Sequence, residues 1–70
     1  MTYYVKITFV DENGNEKTIH IESGKTVILL TKLYMKLLRL SSKKLKIKRI
    51  ETNEPHLYTA LEKEGFPITV

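Results

Sequence analysis

The chain has no cysteine, no tryptophan and no glutamine. Without cysteine there is no disulfide to hold a small fold together, and a zinc site would lack its usual thiolates. His20 and His56 are the only imidazoles, and neither has a carboxylate or thiol at ligand-motif spacing, so neither a metal nor any other cofactor is expected. Three glycines and two prolines leave no flexible linker, repeat or low-complexity stretch. Ser23-Gly24-Lys25-Thr26 resembles the tail of a phosphate-binding loop, but the full pattern needs a glycine five residues before Gly24, where Ile19 stands. Long apolar runs are missing too. The longest, Val27 to Leu40, is broken by Thr31, Lys32, Lys36 and Arg39, too short and too charged for a bilayer. Met1-Thr2-Tyr3-Tyr4-Val5-Lys6 lacks the pattern of a signal peptide. A cytoplasmic, intracellular setting is the expectation.

The most informative absence is of one charge sign. Between Glu22 and Glu51 there is no acidic residue, while Lys25, Lys32, Lys36, Arg39, Lys43, Lys44, Lys46, Lys48 and Arg49 all fall there. The formal net charge of +4 therefore divides into +9 in the middle and −5 outside it. Segregated charge makes a local field, and a positive one attracts nucleic acid, anionic lipid or an acidic protein.

A chain of 70 residues makes one domain, residues 1–70, with a thin core. With disulfides and metal excluded, self-association is the support to expect. Abundant Lys, Glu, Ile and Leu beside absent Gln and Cys lean toward a heat-adapted source.

Thr2–Val10 alternates, with Tyr3, Val5, Ile7 and Phe9 on one face and Tyr4, Lys6, Thr8 and Val10 on the other, the mark of a half-buried strand. Lys17–Glu22 alternates again, with Ile19 and Ile21 inward. A two-residue Asn13-Gly14 loop would pair Phe9 with Thr18, joining opposite faces. A three-residue loop, Glu12-Asn13-Gly14, corrects this and predicts Val5–Ile21 and Ile7–Ile19 inside, Tyr4–Glu22 and Lys6–His20 outside, with Gly14 in the left-handed region. A helix follows over about Val27 to Ser42, capped by Ser23 or Thr26. Lys44–Thr52 reads as a strand, with Leu45 and Ile47 on one face and Lys46, Lys48 and Ile50 on the other. Asn53 is the expected cap of a short helix with Glu54 and Pro55 in its opening and Leu57, Ala60 and Leu61 on its apolar face. Gly65 ends it, Phe66 folds back, and Pro67–Val70 forms a terminal strand.

The class is α+β: hairpin, helix, strand, short helix, strand, in two layers, with a mixed sheet and one main helix. This order and hydrophobic pattern resemble the β-grasp (ubiquitin-like) architecture over most of the chain. A ferredoxin-like or unclassified two-layer arrangement is the alternative. The resemblance carries no functional motif, so it implies no function.

In the main helix Lys32, Lys36, Arg39 and Lys43 follow i, i+4, i+7, i+11 and form one stripe. Like charges at these spacings repel at a cost of a few tenths of a kcal/mol per pair, which a bound polyanion would offset. Lys46 and Lys48 would extend the stripe, although lysines on a strand also protect a sheet edge. The rest of the helix is apolar over far more than one packing arc. Leu29, Leu33 and Leu40 form one flank, Ile28 and Met35 the other, and the first flank is the expected homodimer interface. Tyr4, Lys6, Thr8, His20 and Lys46 would share the open sheet face, where an aromatic and cations can stack bases. Glu51, Glu54, Glu62 and Glu64 lack any fixed acid–base geometry. The expectation is a small basic nucleic-acid-binding protein (DNA or RNA), weakly sequence-selective, dimeric and not an enzyme. The alternative is a protein-interaction or adaptor module that pairs with itself or with an acidic protein.

Overall fold

The computed structural model describes residues 2–69. Strands β1 (Tyr3–Val10) and β2 (Glu16–Ser23) form a hairpin, helix α1 (Thr26–Ser42) crosses the sheet, β3 (Lys46–Thr52) returns beside β1, and helix α2 (Pro55–Lys63) leads to β4 (Ile68–Thr69). Val70, expected in the last strand, lies outside the described residues. The strand order is β2-β1-β3-β4. β1 runs antiparallel to both neighbours, while β3 and β4 are parallel. The fold is α+β with a mixed sheet, as expected. The element order is the expected one and a later strand, β3, returns beside β1, running antiparallel to it.

The hairpin has the register that face-matching demands: Val5 pairs with Ile21, Ile7 with Ile19, Lys6 with His20 and Tyr4 with Glu22. The Asp11 N–H donates to the Asn15 carbonyl at 2.8 Å, closing a three-residue loop, and Gly14 sits at φ +82°. One carboxylate oxygen of Asp11 accepts from the amides of Asn13 and Asn15, both at 2.9 Å.

Both helices cover one face of the sheet. Val5, Ile7, Ile21 and Ile50 meet Leu29, Leu33, Leu37 and Leu40 of α1 and Leu57 and Leu61 of α2 in a single core. Leu29, Leu33 and Leu40 therefore cannot form a dimer interface, because their side chains already fill the space between α1 and the sheet. Each has about 1.5–3 kcal/mol of burial at stake, which exposing it to a second copy would forfeit.

Three local expectations are corrected. β3 does not alternate regularly: its register against β1 shifts between Thr8 and Phe9, which pair with Arg49 and Ile47. The intervening Lys48 is the extra residue of a bulge, and Ile50 turns inward to be fully buried in the core. Helix α1 begins one residue earlier than expected, after Lys25, with no side-chain cap; the Ser23 hydroxyl accepts from the Lys25 amide instead, at 3.2 Å. In α2 the cap is Glu54 rather than Asn53. Asn53 ties the turn to the N-terminal strand, accepting from the Tyr4 amide at 2.8 Å and donating to the Thr2 carbonyl at 3.2 Å.

Candidate nucleic-acid interface

The basic stripe exists, and the fold gives it a definite position. Turning the four core leucines of α1 onto the sheet leaves Lys32, Lys36, Arg39 and Lys43 on the flank of the helix that overhangs β2. Two adjoining hollows of about 510 and 330 Å³ lie along this seam. The first is lined by His20, Ile21 and Glu22 of β2 and by Lys32, Met35, Lys36 and Arg39 of α1. The second shares Lys36 and Arg39 and continues past Lys43 and Ile19 to the hairpin loop. Together they make one trough with an apolar floor and a cationic wall. β2, its other wall, is an outer strand of the sheet.

At the far end of the trough Lys43, Lys44 and Lys46 surround a hollow with Val10, Asp11, Glu12 and Leu45. Lys46 reaches this hollow from the open sheet face, where it stands opposite Val10. Lys44 joins the stripe's end, a residue that the sequence placed at the start of the third strand and outside the stripe. Its signal was adjacency: a lysine directly after a helix end stands beside the last helical cation. Lys48 does not belong. Its ammonium lies 2.7 Å from the Glu16 carboxylate, and that contact holds Glu16 below the usual carboxylate range, chiefly through the hydrogen bond and charge of Lys48.

The two sides of the protein treat their cations differently. On the open sheet face, Lys48 pairs with Glu16, Arg49 lies 3.5 Å from Glu51, and His20 lies 2.8 Å from Glu22. Lys6 stands 5.7 Å from the centre of the Tyr4 ring, and that ring lies 6.0 Å from the imidazole of His20. Thr8 is buried there, its hydroxyl 3.5 Å from that of Thr18. The aromatic expected to stack bases is therefore already engaged by its neighbours. Along α1 and at its end, by contrast, no carboxylate among the described residues comes within 4.0 Å of Lys32, Lys36, Arg39, Lys43 or Lys44; Lys46, opposite Val10 on the open face, has none within that distance either. Glu22, Asp11 and Glu12 line the trough beyond that distance.

The second histidine is also engaged. His56 Nδ1 lies 3.0 Å from a Glu54 oxygen, and the Glu54 carboxylate accepts from the amides of His56 and Leu57, each at 3.1 Å. Burial pushes the Glu54 carboxyl up, but these bonds and the nearby imidazole together pull it below its ordinary value. The neighbouring Tyr58 hydroxyl is raised by the charge of Glu62 and a hydrogen bond to it. Among the described residues no three metal-ligating side chains gather, and no helix is long and apolar enough to cross a membrane. Comparison with known protein families, curated proteins and solved structures gives no match.

Proposed function

We propose that this protein binds nucleic acid through its phosphates, using Lys32, Lys36, Arg39 and Lys43 on the β2 flank of α1, with Lys44 and Lys46 at the end of that row. The supporting observation is the contrast between the two surfaces. Apart from Lys46, the sheet-face cations Lys6, Lys48 and Arg49 have carboxylate or aromatic partners, whereas among the described residues Lys32, Lys36, Arg39, Lys43 and Lys44 have no carboxylate within bonding distance. Unpaired cations in a row repel one another, and when they neutralise phosphates the cations condensed on the nucleic acid are released, which supplies the entropy that drives binding. Lysine contacts fix position more than sequence, so selectivity should be weak.

The test is binding of labelled duplex DNA, single-stranded DNA and RNA across a salt series. Four to six phosphate contacts predict a log–log slope of about −4 to −5 on duplex. Replacing both Lys36 and Arg39 with Glu should abolish binding in a folded protein. Absence of binding to all three at low salt would reject the proposal. A second reading rests on the trough itself: an acidic protein segment could lie along the outer strand β2, with apolar side chains on Ile21 and Met35 and carboxylates on the cationic wall. Tight binding to protein with none to DNA or RNA would select it.

A further inference from the structure

The outward face of α1 is apolar, and the phosphate row does not use it. Val27, Met35 and Leu38 are 75%, 65% and 70% exposed, with Ile28 and Tyr34 beside them. Val27, Thr31, Tyr34 and Leu38 follow i, i+4, i+7, i+11, so they lie along one stripe. That stripe lies roughly 130° around the helix from the buried Leu29, Leu33, Leu37 and Leu40. Alternating steps of four and three are the spacing of a helix–helix seam, which points to a helix as the occupant rather than a strand or a loop.

The stripe is complementary to itself in reverse. Against an inverted copy, Val27 comes opposite Leu38 and Thr31 opposite Tyr34, with Ile28 close to Met35. None of the four seam side chains is charged, and the one carboxylate seen at its edge, Glu64, accepts from the Tyr34 hydroxyl at 3.5 Å, so a copy of this chain can cover the seam without stranding an ion. Antiparallel helices also set each positive helix end against a negative one, whereas parallel helices would align their dipoles and repel. We infer that α1 is the interface of a twofold homodimer in which the outward faces of two copies pack with their helices antiparallel.

This arrangement deepens the nucleic-acid reading and rests on it for its purpose. A twofold axis lying across the helices keeps the cationic flanks of both copies on the same side of the pair. Lys32, Lys36, Arg39 and Lys43 of one copy and of the other then border a single surface, so each chain carries half of the site. The two flanks repel, so salt tightens the dimer in the absence of ligand. The same salt weakens phosphate binding. A seam about 16 Å long is small for an interface, which makes this a weak, concentration-dependent dimer.

Cysteine scanning tests the geometry cleanly, because the native chain has no thiol. Val27→Cys and Leu38→Cys are prepared separately, then mixed and oxidised. The antiparallel seam predicts disulfide-linked pairs in the mixture and little linkage in either variant alone. Self-linked Val27→Cys and Leu38→Cys pairs would overturn it. Sedimentation equilibrium of the unmodified protein, with no nucleic acid present, should show a dimer that tightens between roughly 50 and 500 mM salt. Leu38→Glu, at an exposed site, should raise the dissociation constant more than about tenfold with an unchanged circular dichroism spectrum. A monomer at every concentration overturns the inference. If that monomer bound phosphatidylglycerol vesicles through Leu38, the face would belong to a membrane surface. Because these arms use protein alone, their failure leaves the phosphate reading standing, and failure of DNA and RNA binding leaves the dimer standing.

Discussion

Lys44 holds a backbone conformation that lysine ordinarily avoids. The Leu45 amide donates to the Leu40 carbonyl and the Lys44 amide to that of Ser41, both at 3.0 Å, which requires a left-handed residue at position 44. Its φ is +58°. Helix α2 ends through the same pair of bonds, with Gly65 at φ +85° in the corresponding place. The left-handed region costs a residue with a Cβ about 1–2 kcal/mol. Lys44→Gly should therefore raise stability by about 1 kcal/mol after the entropy that glycine adds to the unfolded chain, measured by urea unfolding. The same change should weaken nucleic-acid binding, since it removes a cation from the end of the row. Strain retained where a better residue is available is what a binding role at that position would explain. Glu54 makes the second argument at this scale. Its carboxylate is 3% exposed and holds two helix-opening amides, so Glu54→Gln should cost about 1 kcal/mol at pH 7. Its folded pKa is depressed, so its contribution is full above the unfolded value and lost as pH falls through the folded one. The gap between wild type and variant should narrow as pH falls below the ordinary glutamate value of about 4.3, and a gap that does not change with pH would exclude the carboxylate as its source.

Helix α1 sets local stability against a surface held ready for a ligand. The Lys32–Lys36 and Arg39–Lys43 pairs are both i, i+4 and both repulsive. The variant with Glu at positions 36 and 39 makes each pair attractive, each worth a few tenths of a kcal/mol, while those two positions remain like-charged with each other. Its melting temperature should be equal to or above that of wild type although binding is lost; a large drop would mean that Lys36 and Arg39 serve the fold. How far the elements could be read from sequence depended on whether their signals were local. The hairpin was legible, because period-two alternation and Gly14 admit only one register that puts Ile19 and Ile21 inside. The bulge in β3 left just one trace: Ile47 and Ile50 are both apolar yet three apart, which an unbroken strand cannot bury on one face. The cap of α2 was missed by one residue because Asn is the commoner cap and a buried glutamate looks unfavourable until its amide donors are known. The harder problem was α1, where apolar residues fill most of the wheel. Leu29, Leu33, Leu37 and Leu40 are all leucine, while the outward stripe includes Thr31. That dilution marked the outer arc, but only the packed sheet determines which arc is covered.

At the scale of the whole molecule, the question is whether binding follows net charge or the arrangement of charge. A protein of net +4 draws any polyanion by its overall field, and that field does not distinguish one lysine from another. The fold supplies a matched pair to separate the two effects. Lys32 lines the trough with no carboxylate among the described residues within bonding distance, whereas Lys48 lies on the other face of the sheet, 2.7 Å from Glu16. Lys32→Ala and Lys48→Ala each lower the formal charge by one, so a field-only mechanism predicts equal losses of affinity. The phosphate row predicts that Lys32→Ala reduces the salt slope by about 1, while Lys48→Ala leaves the slope near that of wild type. Stability supplies the control. An exposed pair such as Lys48–Glu16 contributes at most about 1 kcal/mol, so both variants should remain folded under the conditions of the binding assay. Equal slopes in the two variants would make the row on α1 an ordinary solvated surface and reduce the attraction to net charge; unequal slopes in the predicted order would tie binding to the flank of α1 where, among the described residues, cations stand in a row without carboxylate partners.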